Sequence, residues 1–450
     1  MPVPVDPALP RLAVLLDGDA MAPYLHRSLV RDAPFPDVRI RYVRYRTERK
    51  ALVHYDVGLD GRRYDAVAMI AARPYLAERA VKPENVALTR RVDGRSPALV
   101  PLRYEPELDA LIEWYPLDLD LPTLAEAPTR LLDELRAAGV TLGDVGGDPA
   151  RLAYTPRRRA VLRVGDHVLK LYAKIEDFAA ATAANLFATS SLRGIRTAAF
   201  EGYLPARLVT VQSLLSGSPP ARHADVALET GELLRELQAR GGSVAAAPHS
   251  PQLEGAEASA RHLAESLPAL PGGVEARKLL GVLDGAREDG PWSAPPSHQL
   301  AVAEASAKYM TAILPALGGR LQALLRELEL TVPSIDRLVL SHGDFGGSQL
   351  LVTPDGLAVV DWDALRLAPA ALDPASYAAH LVSGGPDDLD DASEALEELL
   401  AGYGDRPPGL AWYFATAILR HSRWPFRYPD EHWPERVEGM VTAAERALAR

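Results

Sequence analysis

Cysteine is absent from the sequence. Disulfides, thiolate-bound metals and thiol nucleophiles are therefore excluded, and the composition suits a reducing, cytoplasmic setting. A secretory signal is not expected either, because Met1 to Asp6 offers neither a basic stretch nor an apolar core. No run approaches the ~20 apolar residues of a membrane span, so no membrane partner is expected. Positive charge is not in excess either. With 49 Lys and Arg against 60 Asp and Glu, the chain carries −11 at neutral pH, which argues against nucleic acid as a partner. His421 and His432 lack zinc-like spacing.

What is present is an ordinary globular composition, 48% hydrophobic and 24% charged over 450 residues, enough for several structural units. The most informative stretch runs from Leu338 to Gln349. There an apolar strand delivers the turn His342-Gly343-Asp344, and Gln349 follows five residues after the acid. A second apolar strand, Leu357 to Val360, ends in Asp361-Trp362-Asp363. Phosphoryl transfer needs such a set. One carboxylate orients and deprotonates a hydroxyl, while an amide oxygen and a second carboxylate hold magnesium against the phosphates. In protein kinases the first element reads His-Arg-Asp, four residues and Asn, and the second reads Asp-Phe-Gly.

In these motifs the chain resembles the aminoglycoside phosphotransferase and choline-kinase-like family, whose loop reads His-Gly-Asp, four residues and Asn. Gln349 in place of that Asn, and the long N-terminal region, resemble the maltokinase and glucosamine-kinase branch. The resemblance implies an α+β, bilobal protein-kinase-like fold. Residues 1–145 would form an N-terminal cap, 146–217 a β-rich N-lobe and 218–450 a mainly helical C-lobe. It further implies Asp344 as the catalytic acid with His342 bracing its loop, Gln349 and Asp361 as magnesium ligands, and ATP as donor. The acceptor would be a small hydroxylated molecule, favoured as a sugar or amino sugar. An aminoglycoside-type antibiotic, a peptide hydroxyl, or no acceptor at all in a nucleotide-binding pseudokinase are the alternatives.

Val38 to Tyr45 alternates apolar and basic residues, and strands at Thr47–Val57 and Arg63–Ile70 complete a meander. Tyr45 to His54 lines up with Tyr154 to Arg163, which predicts the same meander twice. Leu111 to Asp118 reads as an edge strand broken by Pro116, and Thr123 to Ala138 as a helix. Lys170, in a hairpin strand, resembles the kinase lysine that grips the phosphates, with Lys174 as its rival. The helix from Ile175 to Ala188 carries acids only at Glu176 and Asp177, where capping charge is the preferred role. No Gly-rich loop is present, and Arg157 to Arg159 either touch phosphates or form a solvated turn. By resemblance, backbone groups near Gln212 and Leu214 would hold the adenine.

Residues 241–300, rich in Gly, Pro, Ala and Ser, read as an inserted helical hairpin or lid. Asp363 falls on the same side of its strand as Asp361, placed to assist the metal or meet the acceptor. Asp373 either caps a helix or, as in the family, steadies the catalytic loop. Helices at about 389–402, 409–424 and 433–449 end the chain. The joint holding Arg420, Arg423, Trp424 and Trp433 is either an acceptor wall, with aromatic faces on sugar rings, or simple helix packing.

Overall fold

The unbroken buried runs Ala51 to Tyr55 and Ala66 to Ile70 cover both faces of a sheet, which fixes where this part of the chain sits. Residues 3–29, 35–92, 94–142, 145, 149–240, 295–335, 338–385 and 387–450 are described by the structure, a computed structural model. After α1 (Leu12–Leu15) and α2 (Gly18–His26) come β1 (Asp37–Arg46), β2 (Lys50–Leu59) and β3 (Arg62–Ala71). Helices α3 (Leu76–Val81) and α4 (Pro83–Arg91), not expected from the sequence, precede β4 (Leu102–Glu105) and β5 (Ala110–Trp114). The antiparallel sheet has the order β1-β2-β3-β5-β4. Ala51, Val53 and Tyr55 enter the largest core together with α2, whereas Leu52, Val67 and Met69, out of phase by one, share a core with α3 and α4. The run expected to be an edge strand is interior. β5 pairs with β3 and β4, and Pro116 lies beyond its end, where it costs no ladder bond.

The arrangement then recurs. The expected helix from Thr123 splits into a 3-10 turn (Pro122–Ala125) and α5 (Pro128–Ala137), because Pro128 starts a new helix as its first residue. β6 (Ala150–Thr155), β7 (Arg159–Val164), β8 (His167–Tyr172), α6 (Ile175–Ser191), β9 (Arg196–Thr197), β10 (Phe200–Leu204) and β11 (Val209–Ser213) follow. In both sheets a three-stranded meander is followed by a helical segment and then a hairpin whose last strand pairs with the third: β3 with β5, β8 with β11. α5 shares a core with Ala160 and Leu162, the aligned counterparts of Ala51 and Val53. The hairpin turns match too. Glu48 and Arg157 both take φ 56°. Tyr45 Oη and the Glu48 N–H donate to Asp6 Oδ2 at 2.7 and 2.8 Å, while Tyr154 Oη and the Arg157 N–H donate to Asp118 Oδ2 at 2.9 and 2.6 Å. One buried acid closes each turn, so the predicted repeat is present in topology, turn conformation and capping residue.

The helical lobe holds α7 (Ala227–Arg240), α8 (Pro296–Ile313), α9 (Gly318–Leu330), β12 (Leu338–Ser341), β13 (Leu350–Thr353), β14 (Gly356–Val359) and β15 (Arg366–Pro369). It ends with α10 (Leu372–Ala379), α11 (Asp388–Tyr403), α12 (Leu410–His421), α13 (Trp424–Arg427) and α14 (Trp433–Leu448). The expected hairpin or lid at 241–300 lies, as far as residue 294, outside the described residues. Tyr45 of the first sheet sits 6.3 Å from the Tyr309 ring and 6.2 Å from that of Phe426, so the N-terminal unit is built into the core of this lobe. The architecture is α+β and bilobal, kinase-like, with the second sheet as the β-rich lobe. Among the described residues no helix is long and apolar enough to cross a membrane.

Candidate active site

β12 and β15 form a two-stranded ladder in which Ser341 faces Arg366, and the turn after β12 rests on the segment before β15. Gly343, at φ 83°, is required there, because a Cβ would run into the Ala364 carbonyl and the Arg366 side chain. Asp373, fully buried in the first turn of α10, accepts from the N–H of His342 at 2.7 Å and of Gly343 at 3.0 Å. It steadies the His342-Gly343-Asp344 turn; the capping alternative left open by the sequence is not what its oxygens do. His342 donates from Nε2 to the Val360 carbonyl at 3.0 Å and packs against Phe345 and Trp362. The loop thus bridges to the neighbouring hairpin through His342.

That hairpin, β13 with β14, pairs Leu350 with Val359, and the Val360 N–H donates to the Gln349 carbonyl at 2.9 Å. The ladder therefore sets Gln349 beside the residue that follows Val360. Asp361 takes φ 65°, left-handed and costing a non-glycine residue about 1–2 kcal/mol, and breaks the strand. Asp363 consequently sits on a 3-10 turn (Trp362–Ala364) and not along the strand as expected.

On β8, Leu169 and Leu171 belong to the α5 core, so Lys170 projects from the opposite face. Its Nζ donates to Asp361 Oδ1 at 2.6 Å and to Asp363 Oδ1 at 2.9 Å. Arg159 Nη1 donates to the same two acids at 3.1 and 2.9 Å. Asp363 also accepts from Tyr172 Oη and Asn185 Nδ2, both at 3.0 Å. The lysine is paired with acids from the other lobe, not with an acid of α6. Asp177, in the first turn of α6, nonetheless lines the cleft. Burial alone would raise the Asp361 carboxyl, but Lys170 and Arg159 outweigh it and hold the group well below the usual carboxylate range. Burial alone would lower Lys170, and Asp363 and Asp361 reverse that, so its ammonium is stabilised.

Arg159, Tyr172, Asp344, Gln349, Asp361 and Asp363 line one cavity of about 370 Å³. The donor set suits magnesium. Gln349 and Asp361 present hard oxygens, and Mg²⁺ is usually held by one or two carboxylates plus substrate phosphates, not by a protein cage. Among the described residues no group of three or more His, Cys, Asp or Glu that could hold a metal ion is present.

The other expected residues are dispersed around this centre. Gln212 lies in the β8–β11–β10 ladder, and its buried side chain donates to Asn185 Oδ1 at 2.5 Å. The Leu214 N–H donates to the Asp166 carbonyl at 2.7 Å, so it has no free backbone donor for a base. Arg420, at the end of α12, donates from Nη2 to Asp344 Oδ1 at 2.8 Å. Arg423 donates to the Arg420 carbonyl at 3.2 Å. Trp424, half-buried, stacks on His421 at 4.1 Å, while Phe426 and Trp433 are core. The joint is thus helix packing in which Arg420 also contacts Asp344. Arg159, Tyr172 and Asn185 were the residues of the acid cluster that motif reasoning did not assign; the basic turn around Arg159 was the one available signal.

The family model described as APH, phosphotransferase enzyme family, matches residues 144–413. No curated protein matches the chain. Among solved structures, a choline/ethanolamine kinase family protein from Mesorhizobium loti is 17% identical, with 71% of this chain and 95% of that chain covered at a TM-score of 0.39. The apoenzyme of macrolide 2'-phosphotransferase MphH from Brachybacterium faecium is 20% identical, covering 70% and 97% at 0.40. Aminoglycoside phosphotransferase APH(3'')-Id from Streptomyces rimosus is 18% identical, covering 70% and 97% at 0.38.

Proposed function

The chain belongs to the phosphotransferase enzyme family, and from that premise we propose that this small-molecule kinase moves the γ-phosphoryl group of ATP to a hydroxyl of a sugar or amino sugar. The supporting observation is the convergence of Asp344, Gln349, Asp361 and Asp363 on one cavity that Arg159 also lines. Asp344 accepts the proton of the acceptor hydroxyl as the phosphoryl group transfers. Lys170 and Arg159, shared between two carboxylates in the free protein, face the phosphates and exchange carboxylate for phosphate oxygens. Gln349 and Asp361 would hold magnesium, whose charge offsets that of the β- and γ-phosphates. The rest of the catalysis is positioning, with Asp373 and His342 keeping Asp344 in place.

The acceptor side of Asp344 is basic. Arg420 contacts the acid, and Arg366 lies close enough to feel the charges of both. The His380 imidazole beside them is pushed down to about 4 by burial and stays neutral at pH 7. This favours an uncharged sugar over a polycationic aminoglycoside. ATP consumption measured across neutral sugars, amino sugars and aminoglycosides tests the ranking, and turnover with aminoglycosides alone rejects it. Asp344→Asn should lower turnover by about 10²–10⁴-fold while nucleotide still binds; near-normal turnover rejects the role given to Asp344.

A further inference from the structure

The repeat that duplicates the sheet also duplicates the place where the cleft meets it. In the second sheet the cleft is lined by Thr155, Arg158, Arg159 and Tyr172, at the turn and the first ladder pair of β7 with β8. Their aligned counterparts in the first sheet are Arg46, Arg49, Lys50 and Ala71, and Lys50 faces Ala71 just as Arg159 faces Tyr172. These four residues line a separate cavity of about 330 Å³, joined by Arg73 and Tyr75. The two cavities differ in charge balance. In the cleft Arg159 and Lys170 are answered by Asp361 and Asp363. In the first sheet Arg46, Arg49, Lys50 and Arg73 make no ion pair with any described residue, and Glu48 is the single acid in the lining.

Four cations without an ion-pair partner among the described residues, gathered around one cavity in a chain of net charge −11, are a local departure from the composition. Like charges gathered at the edge of a protein repel, and the arrangement is relieved by an anion that spans them. Burial, and after it the neighbouring Arg46, Arg44 and Arg157, push the Lys50 ammonium down, and the charge of Asp120 offsets them only in part. Arg46, Arg49 and Arg73 are exposed and within reach of a solute. Their forked donors suit phosphate oxygens, and several of them suit more than one phosphoryl group.

We propose that this end of the first sheet is a second anion site, which takes a small phosphoryl-bearing molecule of the pyrophosphate class without a metal ion. It stands apart from the catalytic cleft and needs neither Asp344 nor Asp361. The ligand chemistry is shared by free polyphosphate, nucleotides and sugar phosphates, and binding comparisons separate them.

The test is calorimetric titration of sodium pyrophosphate into the full chain in metal-free, low-salt buffer. Three proteins are compared: the natural sequence, an Arg49→Gln/Arg73→Gln variant, and an Arg159→Gln/Lys170→Gln variant that disables the cleft. The cleft variant should retain a binding event that the Arg49→Gln/Arg73→Gln variant loses by about tenfold or more in affinity. Both altered side chains of the latter are exposed, and its melting temperature should match that of the natural chain. Should the pair together disturb folding, either single exchange gives the same reading with a smaller loss. Repeating the titration on the cleft variant with ATP and a hexose phosphate distinguishes polyphosphate from monoester ligands. Absence of pyrophosphate binding by the natural chain overturns the proposal, as does loss of all binding in the cleft variant alone.

Discussion

Arg420 and Asp344 meet at the mouth of the cleft, Nη2 to Oδ1, at 2.8 Å. The carboxylate is 57% exposed, so the pair adds little to stability and its consequence is positional. The same nitrogen lies 3.0 Å from His421 Nε2 and 3.4 Å from Ser376 Oγ, which fixes the guanidinium and through it the acid. Arg420→Gln should lower kcat by about ten- to a hundredfold while leaving the unfolding midpoint nearly unchanged. Arg420→Lys should not restore it, since the lysine side chain is one bond shorter and does not carry its nitrogen to the place that Nη2 holds between three partners. Steady-state assays with the best acceptor decide this, and unaltered kcat in R420Q excludes the positioning role.

Asp363 gathers donors from β7, β8 and α6, namely Arg159, Lys170, Tyr172 and Asn185. It fastens one lobe to the other, and Lys170 beneath it is only 7% exposed. Asp363→Ala leaves buried donors unanswered and should cost about 3 kcal/mol. The KM for ATP should rise with it, because Lys170 and Arg159 lose the anchor that aims them. Urea unfolding measures the first effect, and a loss under about 0.5 kcal/mol would show that the hub is not structural.

The candidate catalytic loop and metal strand were legible as motifs because the chemistry proposed for them depends on residues close in sequence. Five positions separate Asp344 from Gln349, and a short hairpin brings Asp361 alongside. The partner of Lys170 was not legible in the same way. Sequence logic looked for an acid along α6, whereas Asn185 stands there and the acids come from residues 361 and 363, nearly two hundred positions away. The repeat was visible only as a Tyr and a basic cluster, since its strands share periodicity more than identity. Asp6 and Asp118, which close the two turns, precede them by 39 and 36 residues, too far for a local pattern to reveal. The interior position of β5 was hidden because Pro116 marks a strand end in either setting.

Asp373 offers a cleaner separation of structure from chemistry. Both oxygens are used, one by the His342 N–H and one by the Gly343 N–H, in a fully buried setting. Asp373→Ala strands two buried donors and should destabilise by about 2–4 kcal/mol. Asp373→Asn keeps one acceptor but points an amide N–H₂ at the other donor, so it should rescue stability only in part. Since the loop carries Asp344, kcat should fall in both variants even where the protein remains folded. Chemical denaturation together with turnover at saturating substrate checks the pair of effects, and full activity in D373N would detach this acid from the loop's function.

The two imidazoles beside Arg420 predict where the protein weakens in acid. Burial pushes His380 down to about 4, and His421 is held well below its ordinary value by burial, with His380 and Arg420 adding to it. In the unfolded chain both titrate near 6.5. A folded value below the unfolded one means that the unfolded state takes up protons first as pH falls. Their contribution is therefore fully present above about pH 6.5 and is lost as the pH drops towards 4. Asp361 obeys the same sign in a lower window. Its folded value is also depressed, so its contribution lasts down to the ordinary carboxylate range near pH 4 and disappears only below it. His380 and His421, with His223 and His298, which burial also pushes down, should consequently carry much of the slope of unfolding free energy between about pH 6.5 and 4. A His380→Asn/His421→Asn variant, less stable at neutral pH, should show a flatter profile across that interval, whereas Asp361→Asn should differ from the natural chain by a constant amount there. Urea titrations at several pH values read both slopes, and an undiminished slope in the double histidine variant would mean that the acid sensitivity arises elsewhere.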